Sequence, residues 1–573
     1  MTLNDSKIED NIADSIAPDS ADEELTAVPA KTRRKWTLLI GLPCLLLCAA
    51  AMVFLFAPFF ISINGDETVT VEVFSPYEDA GAVNTITGQP IEGKGEVDTD
   101  KIGSYTVAYR WLLNTRERTV LVVDIVAPEI EVLGRELMLA VGDDYTDPGV
   151  QVSDNYDTDL AAAVVVSDGV DTSAAGEYEI TYSVSDTSGN TATASRKVLV
   201  LADDFDYCQE VKAPDNCGTE LIQPITDFLD LYYRSLKYLR ENDFSALFAQ
   251  ESSAVAYMAE AAVAATVGYR SAVRNDLRLD DCSYTIEITG VEQRPDGVVQ
   301  VDFTEDTSLY FRCLDGRESR QRGVENSFAL KQEDGRYVIA DLYRLEGVFS
   351  FFQDQTGLST EEMDQFKYDY LQATVAAQQS YEEEQDLIND GAVCTEPSCT
   401  TAYDREKAQE YANKYALTRN PKYSDFDSNC ANFVSQCINA GGIPMDGKNP
   451  YQWKYFDNRH DEVSAASGFT ASWVYIPSFM EYFRGEESVV IDEDLYLYFA
   501  QPGDIIVLLR SDEADAAESP HVIIVSECVT GDDGKVLDVL CCGNTNDQLD
   551  MPLSAVAAAK KLIKIYGYNV SEN

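Results

Sequence analysis

Apolar positions fall into distinct regimes along the chain. Residues 37–63, TLLIGLPCLLLCAAAMVFLFAPFFISI, carry no charge, and such a run is long enough to cross a bilayer at about 1.5 Å per helical residue. Over 66–202, Tyr, Val and Thr alternate with polar residues and are broken by Gly, Asp and Asn, the pattern of short antiparallel strands. From Leu221 to Ala265 the spacing turns helical, with Ile225, Phe228, Leu229, Tyr232, Tyr233, Leu236, Leu239 and Phe244 as its apolar positions. Strand-like runs follow at 283–293, 297–311, 322–332 and 337–345. Ser359-Thr-Glu-Glu362 has the form of a capping box and opens a helix to about Asn389. Ala408, Tyr411, Ala412 and Tyr415 mark one face of a helix over 403–417, and a second helix begins near Cys430 and stops at Gly441-Gly442. The apolar runs IIVLLR and VIIV, then KVLDVLCC after a GDDG turn, predict a closing sheet.

These regimes predict a multidomain chain: a disordered cytoplasmic tail over 1–35, a transmembrane helix over 36–63, two all-β modules at 66–126 and 127–202, an α+β spacer at 215–350, a helical connector at 359–400, and a C-terminal α+β domain at 401–573. Residues 203–217 read as a polar linker. Lys31, Arg33, Arg34 and Lys35 precede the apolar run, and Asp66 and Glu67 follow it. The positive-inside rule puts the N-terminus in the cytoplasm and the domains outside. A leader of 35 residues and so long an apolar run favour an uncleaved single-pass anchor in the cell membrane over a signal peptide.

Charge narrows the partners. Forty-three basic against 99 acidic residues give −56, a surface that repels nucleic acid. The two histidines, His460 and His521, are 61 positions apart. A zinc hydrolase usually takes two or three histidine ligands, so neither metal nor cofactor is expected. Thirteen cysteines in a largely extracellular chain suggest disulfides, with Cys208–Cys217, Cys282–Cys313 and Cys394–Cys399 as local pairs.

The candidate chemistry is C-terminal. Cys430 opens a helix, where unpaired N–H groups and the macrodipole favour a thiolate nucleophile. Cys437 lies two turns on, about 10 Å away and beyond disulfide reach, and reads as a buried small hydrophobe. His521 starts an apolar strand. If Asp532-Asp533 make the following turn, His521 faces Asn544; if Asp533-Gly534 do, it faces Asn546. Either asparagine would sit on the histidine's face and fix its ring, completing a Cys–His–Asn triad. Trp453 and Trp473 lie between nucleophile and base and are candidate walls of a substrate groove, although core packing explains tryptophans equally well. His460, in Asn-Arg-His-Asp, reads as an exposed loop residue.

Resemblances sharpen this picture. VDTDKIGSYTVAY at 97–109 repeats as VDTSAAGEYEITY at 170–182, and Tyr77–Gly81 matches Tyr145–Gly149. The pair resembles bacterial Ig-like surface modules, which implies a stalk of β-sandwiches. Residues 215–350 look like the cone-shaped fold related to nuclear transport factor 2. The stretches Tyr403–Ala416, Asn420–Tyr423, Asn429–Met445, Ala471–Trp473, Gly503–Asp504 and His521 closely resemble the putative amidase domain family of bacterial surface proteins, a relative of the NlpC-type and CHAP cell-wall peptidases. That family's phrases place aspartate where this chain has Asn429, and often histidine where it has Asn544. The resemblance implies a papain-like fold and amide hydrolysis by Cys430, His521 and Asn544, with peptidoglycan or a surface peptide as substrate. The alternative is an inactive surface binding or scaffold protein on the same fold.

The basic cluster before residue 36 generates a topology test. Protease added to intact cells should remove the C-terminal domain, and complete protection of that domain would refute the outward orientation.

Overall fold

The computed structural model describes residues 60–568 apart from Leu113, 203–206, Thr356, 390–402, 446–451, 456–467, 486–488, 493–499, 511–520 and 557–559. The expected tail, most of the expected anchor, Cys394, Cys399 and His460 lie outside the described residues. Among the described residues, no helix is long and apolar enough to cross a membrane. Two compact units are present. One comprises residues up to 135 with 147–169 and 179–196, the other 136–146, 170–178 and 197 onward.

In the first unit, Ile61–Ile63, Ala82–Asn84 and Pro90–Ile91 form one small sheet. A second sheet orders Thr68–Glu72, Asn114–Val123, Gly103–Trp111 and Gly93–Lys94. The last three residues assigned to the membrane span are therefore strand: Ile61 pairs with Asn84 and is buried. The apolar run left outside the module, 37–59, still has the length of a span. The repeated phrases now have a physical meaning. Tyr109 donates its hydroxyl to Asp79 at 2.5 Å, and Tyr182 donates to Asp147 at 2.7 Å. A buried arginine completes each cluster, Arg118 on Asp79 and Arg196 on Asp147. Tyr105 and Tyr178 lay their rings over the glycine two residues before them and donate to the carbonyl four residues back, both at 2.9 Å.

In the second unit, Leu137–Ala140 runs parallel to Val198–Leu201. Helices α1 (Thr219–Tyr238) and α2 (Ser253–Ala272) then pack on a long antiparallel meander. The strands of this unit's large sheet are numbered β1 (Cys208–Lys212), β2 (Leu279–Gln293), β3 (Val299–Phe311), β4 (Ser319–Glu333) and β5 (Arg336–Arg344) in the spacer. The C-terminal domain adds β6 (Val489–Asp492), β7 (Ile505–Arg510), β8 (His521–Thr530), β9 (Val536–Gly543), β10 (Asp547–Pro552) and β11 (Lys560–Tyr568). Two sequence expectations change here. The 203–217 linker contains an edge strand, β1, parallel to β2. Spacer and C-terminal domain also share one sheet, ordered β1-β2-β3-β4-β10-β9-β8-β7-β11-β6, with β5 branching from β4. The outer edge of β4 is divided: Arg320–Arg322 pair with β10, and Asn326–Glu333 pair with β5.

Helix α3 (Gly347–Gln353) leads to α4 (Thr360–Asn389), where Ser359 and Glu362 bond reciprocally, N–H to carboxylate at 2.8 Å and N–H to hydroxyl at 3.3 Å. Helix α4 packs on α2, and its Gln385 donates to the carbonyls of Val536 and Leu537 in β9. Beside it lies Asp538, fully buried on β9. Asp538 accepts from Asn275 at 2.8 Å and from the Val539 N–H at 2.7 Å, and Ser554 donates to it as well.

Burial pushes the Asp538 carboxyl up to about 6, against the Ser554 hydroxyl and the surrounding N–H donors, which pull it down. A folded value above the unfolded value of about 3.9 means the native state holds this proton more tightly, so ionising Asp538 costs stability as pH rises from about 4 through 6. Asp538→Asn should therefore gain on the wild type by up to about 3 kcal/mol between pH 4 and pH 7. Urea unfolding of both proteins across that range checks it, and a difference that stays constant with pH overturns it.

Candidate active site

Helix α5 (Arg405–Tyr415) starts where Asp404 accepts the Lys407 N–H. Three sequence phrases interlock at this end. Tyr403 donates to the Gly503 carbonyl, Arg405 pairs with the fully buried Asp504 at 2.8 Å, and the Asp404 N–H donates to Gly441 at 2.7 Å. A Cβ on Gly441 would stand 2.3 Å from the Tyr403 ring. One on Gly503, whose φ is +90°, would stand 2.7 Å from the Arg405 carbonyl. Only glycine allows either approach. The Tyr-Asp-Arg and Gly-Asp phrases thus lock α5 to the sheet and to the end of the next helix.

That next helix, α6 (Cys430–Ala440), is the centre of the domain. Its first nine residues are all buried, yet Asn432, Ser435 and Gln436 are polar, and so is Asn429 just before it. Each finds a partner. The Trp473 indole N–H donates to Asn432 at 2.9 Å. Asn432 donates to Asn429 at 2.8 Å, Asn429 to Asn544 at 2.9 Å, and Asn544 to the Ala416 carbonyl at 2.8 Å. Ser435 donates to the Trp473 carbonyl and accepts from the Trp453 indole, and Tyr411 donates to Gln436. Thr545, held at φ +77°, turns its hydroxyl to the Asn429 N–H at 2.8 Å. Positive φ is rare for a β-branched residue, and here it aims a side chain at the residue preceding Cys430.

Cys430 lies at the N-terminus of α6, buried against the start of β8. Burial raises its thiol, while the Val522 and Ala431 N–H groups and the Ser428 hydroxyl pull it down; the net direction is up. Cys437 is fully buried, and burial drives its thiol far above the usual range. His521, half-buried, is the first residue of β8 and pairs with Leu508 of β7. Val522 and Ile524 belong to the core under α5 and α6, and Ile523 and Val525 to the core on the opposite face. The His521 ring shares the face of Ile523: a Cβ on Gly543 would meet Ile523 at 3.2 Å and His521 Nε2 at 3.4 Å.

The register differs from both expected alignments. Ile524 pairs with Cys542, after irregularities between Val525 and Glu527 and between Val529 and Thr530. The loop is longer than a two-residue turn, with Gly531 donating to Lys535. Continued along the ladder, this register sets Asn544 level with Val522, one residue from His521, and Asn544 spends its amide on Asn429 and Ala416. Asn546 donates to Leu345 of the spacer. The structure therefore brings Cys430, Asn429 and Asn544 together, with the His521 backbone alongside them.

Trp453 and Trp473 are corrected from groove wall to core. Both are fully buried, their rings lie 4.7 Å apart, and both indole N–H groups are bonded internally. Among the described residues, no disulfide joins Cys208 to Cys217 or Cys282 to Cys313. The sequence reading passed over Asn432 and Gln436. Their spacing from Asn429, three and seven positions, was the available signal for a polar stripe on a buried helix.

Residues 402–568 match the family described as Putative amidase domain. Residues 61–122 and 130–200 match the family described as Bacterial surface protein, Ig-like domain. A Bacillus subtilis protein named Uncharacterized protein YhbB is 30% identical over 133 residues, which are 23% of this chain and 40% of that protein. The chain thus spans well under half of that relative's length. Among solved structures, a Bacteroides thetaiotaomicron lipoprotein is 14% identical, with a TM-score of 0.13 over 38% of this chain and 79% of that one. A protocadherin gammaB7 structure is 11% identical, with a TM-score of 0.12 over 43% and 69%. In the amidase domain, Asn429 stands where the family phrases have aspartate and Asn544 where they often have histidine. The two asparagines are hydrogen-bonded to each other.

That contact predicts coupled substitutions. Asn429→Asp alone sets a carboxylate against the Asn544 carbonyl oxygen in a buried site and should cost about 1–3 kcal/mol. Adding Asn544→His restores a donor opposite the carboxylate, so a double-mutant cycle by urea unfolding should return a favourable coupling of at least about 1 kcal/mol. Additive effects would show that the two side chains do not depend on each other.

Proposed function

We propose that this chain is a membrane-anchored extracellular cysteine amidase or peptidase. In this reading Cys430 is the nucleophile, His521 the base, and Asn544 a residue that orients the site; the substrate is an amide bond of peptidoglycan. The single observation that carries the reading is a thiol at the buried N-terminus of α6, under the N–H of Val522, the residue that follows the histidine opening β8. The putative amidase domain over 402–568 supports amide hydrolysis as the reaction class. The Ig-like modules and the basic-flanked apolar run support a surface location.

The chemistry follows from the raised thiol. A buried Cys430 holds its proton at rest, so attack requires transfer of that proton to the His521 imidazole as the Sγ–C bond forms. The imidazole then protonates the leaving amine as the C–N bond breaks, and water hydrolyses the thioester. Helix N–H groups at Cys430 and Ala431 face the developing oxyanion. To act, the imidazole must turn from its seat over Gly543 toward Sγ. Because that seat is on the face of Ile523 and Cys430 packs on the face of Val522, the move needs the backbone at the start of β8 to turn as well as the side chain. The substrate is argued from location, because an enzyme held outside the membrane meets the wall first. A second reading, an inert binding or scaffold module, is favoured by the burial of Cys430 and by the engagement of the Asn544 amide.

Hydrolysis of soluble wall fragments by purified protein separates the two. Cys430→Ser and His521→Ala should each lower the rate at least about 10³-fold, because nucleophile and base act as a unit. Asn544→Ala should cost less, and Cys437→Ser should retain most activity. Wild-type turnover in either of the first two variants ends the cysteine-hydrolase reading. Absence of turnover, together with a Cys430 thiol that alkylates no faster than Cys437, establishes the inert module.

A further inference from the structure

The first unit holds a cluster that the stalk reading leaves unexplained. Asp124 directly follows the last strand of the first Ig-like module, Asn114–Val123, and Asp154 and Asp157 follow Val150–Ser153 of the second. One carboxylate oxygen from each lies within 4.8 Å of the other two. That spread is what oxygens take around a cation at about 2.4 Å.

Two further facts point inward. Asp124 is 4% exposed; its Oδ1 accepts the Val126 N–H at 3.1 Å, and its Oδ2 is buried with no hydrogen-bond partner among the described residues. Asp154 Oδ2 accepts the N–H groups of Tyr156 and Asp157, both at 2.9 Å, while its Oδ1 is likewise buried and unpartnered. Asp157 is held by Thr187, whose N–H and hydroxyl both donate to it. Among the described residues, no basic side chain forms an ion pair with any of the three. Three carboxylates this close repel one another, and a buried carboxylate oxygen without a partner is costly. A bound cation removes both penalties at once.

The donor chemistry selects the ion. All the donors are oxygen and none is His or Cys, which disfavours zinc and the later transition metals. Carboxylates supplied by two loops suit the flexible coordination of calcium better than the octahedron magnesium demands. We propose that Asp124, Asp154 and Asp157 form a calcium site that fastens the end of the first Ig-like module to the 154–157 loop of the second. The loop already leans on the first module through Asn155, which donates to Glu72, and through Tyr156, whose ring lies 6.0 Å from that of Phe74.

The test uses the full chain in detergent, stripped with EDTA and titrated with calcium chloride by calorimetry and thermal melting. The expected result is one site with a Kd of about 10⁻⁴–10⁻³ M, as in extracellular modules. Asp124→Asn and Asp157→Asn should each lack it. Calcium should raise the wild-type melting temperature and leave that of Asp124→Asn unmoved. In EDTA, Asp124→Asn should melt at or above the wild type, since it removes one of three crowded charges and keeps an acceptor for the Val126 N–H. Calcium isotherms that superimpose for wild type and both variants overturn the site. So does the absence of any site saturating below about 10 mM, or an Asp124→Asn protein that melts lower by the same amount with and without calcium. An equal response to magnesium chloride overturns the assignment to calcium.

Discussion

A helix buried on every side cannot carry polar residues unless each of their hydrogen-bonding atoms is answered. Helix α6 meets that condition with Asn432, Ser435 and Gln436, joined by Asn429 at its entrance, and much of the C-terminal domain is arranged to satisfy it. Each such atom left without a partner would cost about 1–3 kcal/mol, so the partners are fixed as well. Trp453 and Trp473 must bring their indole N–H groups inward, Tyr411 must present its hydroxyl, and Asn544 must bridge from Asn429 to the backbone at Ala416. The gain is orientation. A helix pinned along its length by directional bonds points its first residue, Cys430, at one place, the backbone at the start of β8.

The second constraint is the shared sheet. Because β4 pairs with β10 at one end and with β5 at the other, the spacer and the amidase domain close each other's strand edges. An open edge is a liability that natural sheets cover, and here each domain supplies the cover. The core follows the sheet: Val529, Leu540 and Met551 of the amidase domain are buried together with the residues of α1 and α2. Helix α4 is therefore more than a connector, since it reaches β9 through Gln385 while packing on α2. Asp538 lies within this junction and bonds to Asn275 across it, so its ionisation acts on the packing of both domains.

The Ig-like modules use a different device for the same problem. Each buries an arginine against an aspartate and a tyrosine hydroxyl, a cluster in which charge is paired and every partner is local to the module. The contrast with Asp124 is instructive. Asp79 and Asp147 have their arginines, whereas Asp124 and Asp154 keep oxygens that nothing among the described residues answers.

The sequence by itself determined what local periodicity and local chemistry can determine. It set the alternating strands of the repeats, the capping box at Ser359, the start of α6 at Cys430 and its stop at Gly441-Gly442, because caps, turns and periodicity act within a few residues. It also marked the amidase domain through phrases whose spacing is fixed by α5 and α6. Only the tertiary structure decided the rest. Two irregularities in the β8–β9 ladder set the register, and a strand shifted by one residue turns each side chain to the other face. Asn544 consequently stands beside Val522 and answers Asn429, a relation across 115 residues that no local pattern encodes. The tryptophans went to the core because the buried Ser435 hydroxyl and Asn432 amide take their N–H groups. The edge of β4 was shared because β10, more than 200 residues later, arrived to cover it. Such pairings depend on which surfaces meet once the chain has collapsed.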